Sequence, residues 1–167
     1  ITLRRQAEQA LRENEQLLNN ILESVNEGIF VLDNEFKNKV FNKGMEVLTN
    51  TPRQKHLGKA PWEVFPFIKN SPVEENMKKA MKGEAAVSID FFLPLPHNPV
   101  SWTRNSCYPL KDADGRIVGV VGVVSDITRQ KRVEEALRKY ERIVSTSPDR
   151  MALINCDYVY EAVNDSL

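Results

Sequence analysis

The stretch Asp112-Ala-Asp-Gly-Arg-Ile-Val-Gly-Val-Val-Gly-Val-Val-Ser-Asp-Ile-Thr128 decides the fold. Asp114-Gly115 is a turn signal, and Ile117, Val118, Val120, Val121, Val123 and Val124 follow it with no helical period. Such β-branched density predicts a central strand buried on both faces. Gly119 and Gly122 interrupt it where side chains would crowd something lying on the sheet. At Ser125 the pattern changes. Asp126 and Thr128 offer acceptors to the first free N–H groups of a helix, and a charged, periodic run from Arg129 to Val144 continues without a breaker. A buried strand that feeds an exposed helix gives strain in the sheet a lever to move.

Composition narrows the function. Lys plus Arg and Asp plus Glu number 23 each, so net charge gives no reason to expect nucleic acid or an anionic membrane as partner. The 41% hydrophobic content suits a globular core, and no apolar run approaches the ~20 residues of a membrane span. Cys107 and Cys156 are too few and too far apart for a disulfide scaffold or a zinc cluster, so a reducing, cytoplasmic setting is expected.

Upstream, Leu3–Val25 contains no Gly or Pro and predicts a helix. Ala7, Ala10, Asn14, Leu17 and Ile21 alternate spacings of three and four, a coiled-coil seam for a homodimer, with Asn14 as a register-setting polar residue. A second stripe of Leu11, Leu18, Leu22 and Val25 suits packing on a domain. Strands are then expected at Ile29–Asp33 and near Lys39–Phe41, and Asn42 caps a short helix through Leu48. Pro72 opens a helix over Val73–Lys82, with Met77 and Met81 on its inner face as gap-filling core. Ala86–Leu93, Val100–Leu110 and Arg116–Ser125 complete a set of five strands. In the first of these, Val87, Ile89, Phe91 and Leu93 alternate with Ser88 and Asp90, so one face is buried.

Internal repetition divides the chain. A shift of 126 places Glu8, Ala10, Leu11, Arg12 and Glu15 on Glu134, Ala136, Leu137, Arg138 and Glu141. A shift of 122 places Gly28–Asp33 on Arg150–Asn155 and Asn42 on Asn164. The expectation is a helix leaving a preceding unit (1–23), a whole domain (24–128), a linker helix about one turn shorter (129–144) and the start of a further domain (145–167).

Gly28-Ile-Phe-Val-Leu-Asp33, Asn42, Leu57-Gly58-Lys59 leading to Phe65-Pro66, Tyr108-Pro109-Leu110, Asp114-Gly115 and Asp126-Ile127-Thr128 together resemble a PAS domain. The resemblance implies an α+β fold, a five-stranded antiparallel sheet with short helices across one face, flanked by coiled-coil-like signalling helices. It also implies sensing upstream of a histidine kinase or a cyclic-dinucleotide enzyme, with neighbouring PAS and output domains as partners. Flavin-binding light sensors of this family carry a reactive cysteine where Pro61 stands and a glutamine where Val124 stands. Haem-binding members place a histidine on the helix that here spans Val73–Lys82 and holds none, although Met77 there could ligate iron in principle. No cofactor is therefore expected; the alternatives are a ligand-free dimerisation scaffold and a haem- or flavin-bearing redox sensor.

The family pattern aims Thr103, Asn105 and Cys107 at the cavity, and Trp102, Arg104, Ser106 and Tyr108 outward. With Phe30, Met77 and Met81, the three inward residues are the expected ligand-binding set, for a small polar molecule or trapped water. The exposed aromatics Trp102 and Tyr108 call for a covering helix or a second subunit. Asp126, Ile127 and Thr128 are the expected transmission point. His56 and His97 sit in polar stretches and are expected to be solvated, and no catalytic constellation stands out, so an enzyme is not expected.

Overall fold

A computed structural model describes residues 2–84, 87–95 and 99–164. The chain forms two compact units, residues 1–127 and 128–167. The first contains helix α1 (Thr2–Ser24), strands β1 (Gly28–Asp33) and β2 (Asn38–Phe41), and helices α2 (Lys43–Thr49), α3 (Pro61–Val64) and α4 (Pro72–Met81). Strands β3 (Ile89–Phe92), β4 (Trp102–Lys111) and β5 (Ile117–Asp126) complete it. All five strands pair antiparallel in the order β2-β1-β5-β4-β3, with the helices after β2 packed against the sheet.

The valine-rich strand is central, as its composition predicts. β5 pairs with β1 from Gly28↔Val124 to Asp33↔Gly119, and with β4 from Thr103↔Asp126 to Lys111↔Ile117. It is not buried on both faces. Val120 and Val124 are inside, whereas Val121 and Val123 are half-buried and Val118 is exposed. The helices after β2 pack against one face only, so the other keeps part of its apolar surface in water. Gly122 leaves room for the Phe30 ring that lies over it, whereas Gly119 meets the backbone of the neighbouring strand. A Cβ on Gly122 would fall 2.0 Å from the Phe30 ring across the strand pair, and one on Gly119 would fall 2.1 Å from the Leu32 carbonyl oxygen. Gly115 takes a positive φ of 79° in the turn before β5, which any L side chain would strain.

Edge strand β3 is shorter than its alternating pattern suggests. Val87 is exposed and only four residues pair, because an edge position offers one neighbour to align with. Ala86 and His97 lie outside the described residues.

Asn42 ties α1 to the sheet. Its Nδ2 donates to the Leu22 carbonyl at 2.8 Å and to the Glu27 carbonyl at 3.1 Å. Its Oδ1 accepts from the Ile29 N–H at 2.8 Å and from the Met45 N–H at 3.0 Å, the second of these capping α2. A bidentate pair from the Arg53 guanidinium to Glu23, at 2.8 and 2.9 Å, braces the same end of α1. Beyond that last turn α1 stands clear of the domain. Ala7, Ala10, Asn14, Leu17 and Ile21 are exposed, and so are Leu11 and Leu18, which do not pack on the sheet as the second stripe suggested. Only Leu22 and Val25 are half-buried.

The second unit consists of helix α5 (Thr128–Thr146) and the hairpin of β6 (Ala152–Ile154) with β7 (Tyr160–Val163). At a shift of 122 its hydrogen bonds repeat those of the first. Asn164 Nδ2 donates to the carbonyls of Val144 at 3.1 Å and Asp149 at 2.8 Å, and its Oδ1 accepts from the Met151 N–H at 3.0 Å. The turns match as well. Asp33 Oδ1 accepts from the Glu35 and Lys37 N–H groups, and Asn155 Oδ1 from those of Asp157 and Val159. Phe36 and Tyr158 hold the same left-handed backbone, at φ 62° and 61°. Helices of 23 and 19 residues differ by four, the difference between the two sequence shifts.

Candidate sensory cavity

Thr103, Asn105 and Cys107 all point inward from β4 and are buried, while Trp102, Arg104 and Ser106 are half-buried on the outer face and Tyr108 is 48% exposed. Alternation along an antiparallel strand requires this division once one residue is placed. Thr103 and Asn105 line a cavity of about 50 Å³ together with Phe30 and Met77. Cys107 and Met81 do not line it. Cys107 is packed into the core beneath, where burial pushes its thiol up to about 12, and Met81 is half-buried against the same core. Pro61 and Val124 also face the cavity.

The wall is mostly apolar: Phe41, Met45, Phe65, Ile68, Val73, Phe91 and Leu93 contribute to it. Its polar atoms are linked in short chains. Asn105 Nδ2 donates to Thr103 Oγ1 at 3.0 Å, and Thr103 Oγ1 donates to the Phe91 carbonyl at 3.3 Å. Asn38 Nδ2 donates to the Lys59 carbonyl at 2.9 Å.

The residue that sequence reasoning missed is His56. Far from being solvated, it is 1% exposed and lines the cavity. Its ring stacks on Phe41 at 3.9 Å, tilted by 8°, and lies 5.1 Å from Phe65. Backbone pairing puts it there. Gly58 N–H donates to the Asn38 carbonyl and Asn38 N–H to the Lys59 carbonyl, which draws residues 56–59 alongside β2 and turns the imidazole over Phe41. Burial, aided by the nearby charges of Lys55 and Lys59, lowers its pKa from 6.5 to about 4, so the ring is neutral near pH 7. The polar run Arg53-Gln-Lys-His56 hid this, because the burial depends on a strand more than ten residues away.

At the other end of β5, Asp126 is the last strand residue and Thr128 the first residue of α5. Ile127 between them is buried, and its N–H donates to the Trp102 carbonyl at 3.0 Å. Ser125 Oγ donates to Glu27 Oε1 at 2.6 Å, tying the end of β5 to the segment that joins α1 to β1.

Sheet order, helices on one face and an inward polar row on β4 are the plan of a known family, and a family model described as the PAS fold matches residues 22–132. The chain belongs to the PAS family. It is similar to a PAS domain from Colwellia psychrerythraea, with a TM-score of 0.58 at 18% identity, over 68% of this chain and 97% of that one. It is also similar to a sensory box sensor histidine kinase from Vibrio cholerae, with a TM-score of 0.52 at 18% identity, over 72% of this chain and 96% of that one. Among curated sequences it is 25% identical to the probable diguanylate cyclase DgcE of Escherichia coli (strain K12) over 187 residues. That match takes in 97% of this chain and 17% of the relative, so the chain spans about a sixth of that protein. Among the described residues, no helix is long and apolar enough to cross a membrane and no three His, Cys, Asp or Glu side chains are placed to hold a metal ion.

Proposed function

We propose that this chain is a cytoplasmic PAS sensory and relay module of a multi-domain signalling protein, and that it binds a small polar ligand between β4 and α4. The observation that carries the reading is the pair Thr103 and Asn105, polar side chains 1% and 7% exposed on the wall of an otherwise apolar cavity. Buried amides without a use are costly, and a ligand that meets them repays that cost. The resemblance to a sensor histidine kinase and to a diguanylate cyclase supports an output domain of one of those kinds in the parent protein.

In this reading α1 pairs with α1 of a second copy through Ala7, Ala10, Asn14, Leu17 and Ile21, and its exposed Leu17 and Ile21 support that pairing. Transmission runs through Asp126, Ile127 and Thr128 into α5. The second unit is the opening of a further PAS domain, which the repeated asparagine clamp supports. Light scattering before and after removal of residues 1–22 tests the pairing: a chain that is monomeric at high concentration contradicts it.

A second reading, a ligand-free scaffold and relay, is favoured by the cavity's size. A cavity of about 50 Å³ is small for a metabolite-sized guest, and a few trapped waters would fill it. Unbiased mass spectrometry of molecules released from gently purified protein separates the two. The sensory reading expects one compound in near-stoichiometric yield, lost in Asn105→Leu. A folded, dimeric protein that releases nothing supports the scaffold.

A further inference from the structure

The hydroxyl chain beside the cavity fixes which nitrogen of His56 carries its proton. A carbonyl only accepts, so Thr49 Oγ1, at 2.7 Å from the Met45 carbonyl, spends its proton there. The 2.8 Å contact between Thr49 Oγ1 and Thr51 Oγ1 is then donated by Thr51. Thr51 has no second proton, so the 2.7 Å contact to His56 Nε2 is donated by the imidazole. A neutral ring with its proton on Nε2 leaves Nδ1 as a bare acceptor.

Among the described residues none donates to Nδ1, and two more lining atoms share that condition. Asn38 donates through Nδ2 to Lys59 and Asn105 through Nδ2 to Thr103, which leaves both Oδ1 atoms without a donor among the described residues. The three residues are each more than nine-tenths buried, yet no fully buried side-chain polar atom among the described residues lacks a partner. The three acceptors therefore face open space, and the space these residues share is the cavity. None of the described lining residues is charged, although Lys55, Lys59 and Glu46 lie near enough to His56 to act on it electrostatically. A charged guest would lose its hydration without meeting a counter-ion on the wall.

We infer that the cavity selects compact, neutral molecules with an apolar body and an N–H or O–H donor, and that His56 Nδ1 is the acceptor that reads that donor. The inference rests on the sensory reading of the same cavity and adds the chemistry of its ligand. Aromatic walls at Phe41 and Phe65 favour a flat ring, and Met45 and Met77 are the flexible side chains whose rotation makes room for it.

Pyrazole, a neutral ring with an N–H, and 1-methylpyrazole, in which a methyl group replaces that hydrogen, are suitable probes for the whole chain. Long-range proton–nitrogen NMR at pH 7 should show His56 protonated on Nε2 with a pyridine-like Nδ1, and pyrazole should shift Nδ1 while 1-methylpyrazole does not. In His56→Phe, which keeps a stacked ring but loses the acceptor, pyrazole binding should weaken about tenfold. A proton on Nδ1, or equal binding of the two probes to the unmutated protein, overturns the inference. If neither probe binds, the selection rule fails too. These results leave the sensory reading intact wherever a compound without a donor is released from the protein. Release of no compound, together with no probe binding, removes both.

Discussion

Residues 22–42 and 144–164 make the same bonds in very different surroundings. Both segments end a helix, turn into a short strand, reverse through an Asx turn with one left-handed residue, and return to an asparagine that clamps the helix end. In the first, Phe30, Leu32 and Phe41 disappear into the core. In the second, every residue of β6 and β7 is exposed. The shared bonds span at most 20 residues, and local chemistry specifies them. Burial comes from partners farther along the chain: β5, more than 80 residues downstream of β1, pairs with its other edge, and the helices after β2 cover the inner face. Local structure and stability are thus separable here, and the two asparagines report on each in turn.

The largest effect should come from breaking the clamp in its buried setting. Asn42→Ala removes four hydrogen bonds and leaves backbone groups beside the core without partners. The expected cost is about 3 kcal/mol in urea unfolding of the main transition. Asn164→Ala removes the three equivalent side-chain bonds and should leave that transition within ~0.5 kcal/mol of its original position. Equal losses would mean that burial is not what distinguishes the two segments.

Acid sharpens the contrast, since a buried neutral imidazole belongs to the first unit. With a folded pKa of about 4 against 6.5, the unfolded chain binds more protons between those values, so stability falls as pH drops from 6.5 to 4 and levels off below. The contribution of His56 is roughly 2–3 kcal/mol across that window. Subtracting the pH profile of His56→Phe should isolate it. Profiles that run parallel would contradict a buried, neutral ring.

The smallest effect is expected at the junction. Asp126→Ala, at the exposed last residue of β5, should cost ~1 kcal/mol locally and speed amide exchange at Arg129–Lys131 with strand protection retained. Melting of the whole first unit would make the residue a keystone of the fold instead.

Much of this was legible in the sequence. The β-branched run named the central strand, Asn42 the helix cap, and the resemblance to the PAS pattern the inward trio Thr103, Asn105 and Cys107. What could not be read depends on contacts across the chain. Polar neighbours suggested a solvated His56, and only the pairing of Asn38 with residues 57–59 explains its burial. Alternation also could not tell Cys107, packed in the core, from Thr103 and Asn105 on the cavity wall, because all three share a face. Nor could it show that one side of β5 remains half open, since a run of valines is compatible with one covered face or two.

The central claim is that occupancy of the cavity is felt where β5 becomes α5. Hydrogen exchange, compared between protein as purified and protein stripped of small molecules by unfolding and refolding, tests it most directly. The account predicts slower exchange in the occupied protein along Thr103–Cys107 and also at the first amides of α5, Arg129–Lys131. Slowing confined to β4 and α4, with the start of α5 unchanged, would contradict it.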